Sequence, residues 1–146
     1  ESLNLLALLE TDLVAVCRAI AEQTLHELPV RFAAHASVCK YVVPEGYPDA
    51  PRKGDAVVLP ETLPAEVTLL LSAVDVREGT LVATGSRTVA AVATGATLAE
   101  AEARCEAVVA RIPGPFFHRR DIGTAALIAR RVAHMQELRR EVGEPA

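Results

Sequence analysis

Between residues 36 and 94 the chain reads as five short apolar runs, at 36–43, 56–59, 67–76, 81–84 and 87–94. Each contains valine, which suits a pleated, half-buried surface. Parallel strands would need a crossover of about a dozen residues or more between them, usually a helix. The gaps here are shorter, or, at 45–54, carry Gly46, Pro48, Pro51 and Gly54, which exclude a helix. Arg77-Glu78-Gly79-Thr80 reads as a hairpin turn. The consequence is an antiparallel sheet.

Helical periodicity lies outside this block. Residues 3–21 place Leu5, Leu6, Leu9, Leu13, Val16, Cys17 and Ile20 at intervals of three and four, which predicts one helix. A linker with Pro29 follows. Thr97-Leu98-Ala99-Glu100 is a capping box that opens a helix to about Ile112, with Ala101, Cys105, Val108 and Val109 on its buried side. Pro113-Gly114-Pro115 stops it. A last helix over 124–140 carries the stripe Leu127, Ile128, Val132, Met135 and Leu138. The fold class is therefore α+β, a small antiparallel sheet with flanking helices.

Composition narrows the function. A chain of 146 residues, 51% hydrophobic and 23% charged, folds as a compact domain and is not a disordered polymer. With a net charge of −4, no Trp and only three Phe and two Tyr, it offers neither an electrostatic footprint nor a stacking platform for nucleic acid. Of its 15 basic residues 13 are Arg, which matches phosphate or carboxylate partners. No apolar stretch reaches the ~20 residues that span a bilayer, and no basic head followed by an apolar core opens the chain. Cys17, Cys39 and Cys105 form no CxxC pair and read as buried, reduced thiols of a cytoplasmic protein. The chain starts at Glu1, without Met, as a processed chain or a piece of a longer one would.

No phosphate-binding loop, nucleophile elbow or HExxH helix is present, and His26, His35, His118 and His134 lack metal-ligand spacing. We therefore assign no catalytic residue and no metal ligand. Two segments carry binding potential. One is the 45–54 loop, read otherwise as a plain strand connection. The other is His118-Arg119-Arg120-Asp121-Ile122-Gly123, where cations precede a helix N-terminus. Its alternative reading is Asp121 as a helix cap ion-paired to Arg119.

Four motifs then occur in order: Gly46-Tyr47-Pro48 with Gly54, Gly85-Ser86-Arg87, Gly95-Ala96-Thr97 with Glu100-Ala101, and Arg119-Arg120-Asp121-Ile122-Gly123. Together they resemble the C-terminal part of the phosphoribosylamine–glycine ligase (glycinamide ribonucleotide synthetase) family. Leu9-Glu10-Thr11-Asp12-Leu13 resembles the stretch after that family's RFGDPE motif, of which Glu1 would be the last residue. Ser86 departs from the usual second glycine, and Arg120 adds charge beside the last motif.

The resemblance implies a hybrid-motif-like C domain over 36–140, after an ATP-grasp terminal helix over 1–24 and a linker over 25–35, with a tail over 141–146. It implies a ligase that uses ATP and Mg²⁺ or Mn²⁺ to join glycine to 5-phosphoribosylamine through glycyl phosphate, releasing ADP and phosphate, in purine biosynthesis. The nucleotide and metal ligands would lie upstream, so this segment would bind no cofactor and have no activity alone. Its partner would be the ATP-grasp core, with Gly46, Tyr47, Pro48, Arg87, Arg119 and Asp121 as candidates facing the cleft. An exposed stripe on the first helix would let the isolated chain self-associate. Other classes with this architecture are the C-terminal domain of another ATP-grasp ligase or carboxylase, and a non-catalytic interaction or carrier domain. A carrier needs a modifiable lysine on an exposed hairpin; Lys40 and Lys53 lack that context.

Overall fold

The computed structural model describes residues 2–143. Glu1 and residues 144–146 of the expected tail lie outside the described residues. The centre is a four-stranded antiparallel sheet built from β1 (Ala36–Pro44), β2 (Val67–Leu71), β5 (Val89–Gly95) and β6 (Phe116–His118), in the order β2-β5-β1-β6. A separate hairpin pairs β3 (Val74–Arg77) with β4 (Thr80–Ala83). The turn between them is the expected Glu78-Gly79, both at positive φ.

Register divides the sheet into two faces. Val38, Lys40 and Val42 of β1 lie opposite Ala93, Ala91 and Val89 of β5, and Val67, Leu69 and Leu71 of β2 extend the same rows. Helix α3 (Leu98–Val109) covers this back face with Ala101, Cys105, Val108 and Val109, all buried as its periodicity predicts. Cys39, Tyr41 and Val43 point to the front. Thr97 caps the helix, its Oγ1 accepting from the Glu100 amide at 3.2 Å, while the Glu100 carboxylate accepts from the Ala96 amide, one residue before the cap, at 3.0 Å.

Five expectations are corrected. The helix over 3–21 is two, α1 (Ser2–Leu6) and α2 (Leu13–Ala21). Asp12 starts the second by accepting from the Ala15 amide at 2.7 Å, while Leu9 bridges to Phe32 and Thr11 Oγ1 accepts from the Arg31 amide. The run 67–76 breaks at Ser72-Ala73. Their amides still reach Thr88 and Arg87, and then Val74 turns away to pair with β4. Residues 56–59 make only a single bridge, Ala56 to Val82, in which the Val57 amide donates to the Leu81 carbonyl and the Ala83 amide to the Asp55 carbonyl. Of the cysteines only Cys105 is buried, its thiol pushed up to about 11 mainly by burial; Cys17 is exposed and Cys39 half-buried. Finally, α4 (Ala125–Glu141) buries none of its expected stripe, and Val132 and Met135 are each 50% exposed. The short β6, directly after Pro115, had no counterpart among the five runs.

Candidate functional site

The front face is incompletely covered. Helix α1 lies against β1, where the Ser37 hydroxyl donates to the Asn4 carbonyl at 3.2 Å, and its Leu3 and Leu6 line a separate cavity with Leu70 and Val92. Over β1 and β6 a pocket of about 390 Å³ remains open. Its floor is Cys39, Tyr41 and Val43 of β1 with Phe117 of β6, brought together because Val43 pairs with Phe117. Ile122 closes one side. Tyr47 and Pro48 form another wall, and Arg87 and Arg119 supply the charge.

The 45–54 loop is a built structure rather than a slack connection. Gly46 has a φ of 79°, and a Cβ there would run into the carbonyl of Ala50. The Ala50 amide donates to the Gly46 carbonyl at 2.8 Å, and the Arg52 amide donates to Glu45 at 2.9 Å. Outside the turn, the Arg52 guanidinium forks onto Asp55 with bonds of 2.8 and 3.1 Å. These contacts hold Tyr47 and Pro48 against the pocket. The next glycine turn places Arg87. Gly85 has a φ of 98°, whereas Ser86 needs no positive φ. The stem of Lys53 lies where a Gly85 side chain would go.

The two arginines differ in electrostatic state. Arg119 donates to both oxygens of Asp121, at 3.0 and 2.8 Å. This bidentate pair raises the guanidinium pKa and holds the Asp121 carboxyl below its ordinary range. Asp121 is thus a partner for Arg119 and not the cap of α4. Thr124 is the cap, its Oγ1 accepting from the Leu127 amide at 3.3 Å. Arg87 lies over the Tyr41 ring, 5.3 Å from its centroid, a cation–π arrangement. Unlike Arg52 and Arg119, it has no carboxylate partner among the described residues. Burial raises the Cys39 thiol, so it stays protonated and is a poor nucleophile.

Of the six candidates, Tyr47, Pro48, Arg87 and Arg119 line one pocket, Gly46 shapes its loop, and Asp121 stands behind Arg119. The aromatic floor was not anticipated, since β6 itself was missed. Nor was the charge beneath it. Lys40 is 1% exposed on the back face, where Nζ donates to Glu102 at 2.7 Å, to Glu106 at 2.6 Å and to the Arg120 carbonyl at 3.1 Å. His118 Nε2 lies 3.1 Å from both Glu106 oxygens. A lysine in phase with Val38 and Val42, facing two glutamates four apart on a packing helix, is the signal that would have found it. The same burial disposes of Lys40 as a carrier lysine. Among the described residues no group of three or more His, Cys, Asp or Glu could hold a metal ion. No helix there is long and apolar enough to cross a membrane.

Known proteins share this chain's pattern. Residues 37–125 match the family described as Phosphoribosylglycinamide synthetase, C domain. The phosphoribosylamine–glycine ligase of Methanosarcina acetivorans is 42% identical over 139 residues, which is 95% of this chain and 31% of the relative. That of Methanoregula boonei is 46% identical over 138 residues, 94% of this chain and 32% of the relative. The crystal structure of phosphoribosylamine–glycine ligase from Thermotoga maritima superposes with a TM-score of 0.55 at 28% identity, covering 72% of this chain and 26% of that one. The chain thus spans about a third of the length of the curated relatives it matches. On this evidence the chain belongs to the phosphoribosylglycinamide synthetase C-domain family.

Proposed function

We propose that this chain is the C-terminal part of a phosphoribosylamine–glycine ligase and that its front-face pocket walls the active-site cleft of the complete enzyme. One observation carries the reading: similarity to a ligase of that name, 42% identical, extends over 95% of the chain. The reaction joins glycine to 5-phosphoribosylamine through glycyl phosphate, with ATP converted to ADP and phosphate. The divalent ion, Mg²⁺ or Mn²⁺, and the nucleotide are held elsewhere in the ligase. Among the described residues no group of three or more His, Cys, Asp or Glu offers such an ion a site.

The contribution of this segment is binding. Arg87 and Arg119 place two guanidinium groups at the edge of an apolar floor, where desolvation strengthens their attraction to a phosphate or carboxylate. Tyr47, Pro48 and Phe117 help to keep water from an acyl phosphate. The segment has no ligase activity alone, and its partner is the ATP-grasp core of the same polypeptide. That core covers the apolar side of α1 and α2, where Leu5, Leu13, Val14 and Ile20 are exposed. In isolation this side drives self-association, and sedimentation showing a monomer at all concentrations would refute that point. The three unpaired cysteines support a cytoplasmic setting for the ligase.

The test is made on the complete polypeptide. ADP release should require both glycine and phosphoribosylamine. Arg119→Ala should raise KM for phosphoribosylamine or lower turnover. Unchanged kinetics with a lowered Tm would assign Arg119 to structure instead.

A further inference from the structure

The back-face cluster has a bearing on the front-face pocket. Strand β6 pairs with β1 only at Val42, Val43 and Pro44, so its ladder ends at His118. Beyond that point no strand hydrogen bonds fix the chain: Arg119 is irregular and Arg120 opens a turn. Phe116 packs into the back-face core and Phe117 into the pocket. His118 then turns back to Glu106, Arg119 turns forward into the pocket, and the Arg120 carbonyl turns back to Lys40. Arg119 is therefore bracketed by two anchors on the opposite face. With the His118 side chain and the Arg120 carbonyl both tied to the back face, the chain is fixed on either side of the residue that enters the pocket.

The ammonium is suited to this task. It has three protons and three acceptors, and two of those acceptors, Glu102 and Glu106, belong to the well-packed α3. The third is the carbonyl of the segment being held. The Arg120 side chain is a weaker tether, mostly exposed and 3.9 Å from Glu106.

We propose that Lys40 is a positioning residue, a buried ammonium that ties down the chain two residues past the end of β6 and so sets Arg119 in the pocket wall. It touches no substrate; it acts through the Arg120 carbonyl. The kinetic part of this inference rests on the reading of the pocket as the ligase cleft, and the structural part does not.

Two variants of the complete polypeptide separate positioning from stability. Lys40→Met alone would strand two carboxylates and could fail to fold, so the charge-reduced pair Lys40→Met/Glu102→Gln is the test protein. Glu102→Gln alone is the control, since it keeps both anchors. A crystal structure of the double variant should show residues 119–121 displaced from the pocket wall, with Arg119 and Asp121 moved together. The control should keep them in place. Displacements of a few tenths of an ångström to 1 Å at a binding group cost roughly tenfold or more in KM. We expect that rise for phosphoribosylamine in the double variant and no change in the control. Adding Arg119→Ala to the double variant should raise KM no further than Arg119→Ala alone, because both act through one guanidinium.

An unmoved 119–121 segment in the double variant overturns the inference whatever the kinetics. So do effects that multiply with those of Arg119→Ala. If Arg119→Ala itself leaves KM and turnover unchanged, the cleft reading falls, and the crystallographic comparison still decides the role of Lys40.

Discussion

The two faces of the central sheet are made by the same strands and handle charge in opposite ways. On the back, Lys40 and His118 lie under α3 against its Glu102 and Glu106, and each ammonium proton of Lys40 has an acceptor. On the front, Arg87 rests on an aromatic ring without a carboxylate, and Arg119 shares its Asp121 with solvent. Charge whose hydrogen bonds are all internal serves the fold and has nothing left for a ligand. Charge held in place but only half satisfied retains capacity for one. The lesson is that proximity to a pocket matters less than what remains unspent on each group.

Removing one charge from each face gives the widest contrast. Lys40→Met leaves two carboxylates facing a low-dielectric core, a defect that costs about 3–5 kcal/mol when a buried pair is broken. Arg119→Ala removes an ion pair whose side chains are 56% and 44% exposed, so its melting temperature should be indistinguishable from that of the parent. Urea unfolding of both variants makes the comparison. Equal losses would erase the distinction between the faces.

Neighbouring aromatics sharpen it. Phe116 and Phe117 are adjacent in sequence, but register turns the first into the core and leaves the second 44% exposed in the pocket. Phe116→Ala should cost roughly 3 kcal/mol through lost burial and a residual cavity. Phe117→Ala should cost about 1 kcal/mol or less and act mainly on binding. Thermal melts of the two variants suffice, and a reversed ranking would mean that the register of β6 is wrong.

How much of this could be read beforehand follows from the range of each signal. The helix cap at Thr97, the hairpin at Glu78-Gly79 and the antiparallel character depend on neighbours within a few residues, and each was legible. The break between α1 and α2 was written locally too, in Thr11-Asp12, but a continuous apolar period outweighed it. Strand β6 was not legible, because three residues after a proline carry no period and their partner lies about seventy positions earlier. The candidates Tyr47, Pro48, Arg87 and Arg119 came from motif order. Their common pocket comes from long-range pairing, which also explains why Tyr41 and Phe117 were missed. Lys40 is legible only as a lysine without the context of a carrier hairpin. Its partners could be recognised only once α3 was known to lie over that strand.

The smallest expected effect concerns acid and salt. Burial by itself would raise the Glu106 carboxyl, but hydrogen bonds from Lys40 and His118 outweigh it and hold the group below its ordinary value of 4.5. A carboxyl depressed by folding stabilises the native state above its unfolded pKa, and that contribution is lost as pH falls through the folded value. Lys40 runs the other way: burial would lower it, yet Glu102 and Glu106 raise it above 10.5, so its contribution fades only in strong alkali. The contribution of Glu106 should therefore weaken below 4.5, and that of Lys40 only above 10.5. Asp55 and Asp121 are also depressed, by Arg52 and Arg119, but both pairs are open to water. At 1 M salt the screening length is about 3 Å, which removes the exposed contribution and leaves the buried one. Melting curves between pH 3 and pH 7 at low and high salt should keep most of their acid slope in the parent and lose it in Glu106→Gln. A slope abolished by salt in the parent would assign the pH dependence to the front-face pairs and break the contrast drawn between the two sides.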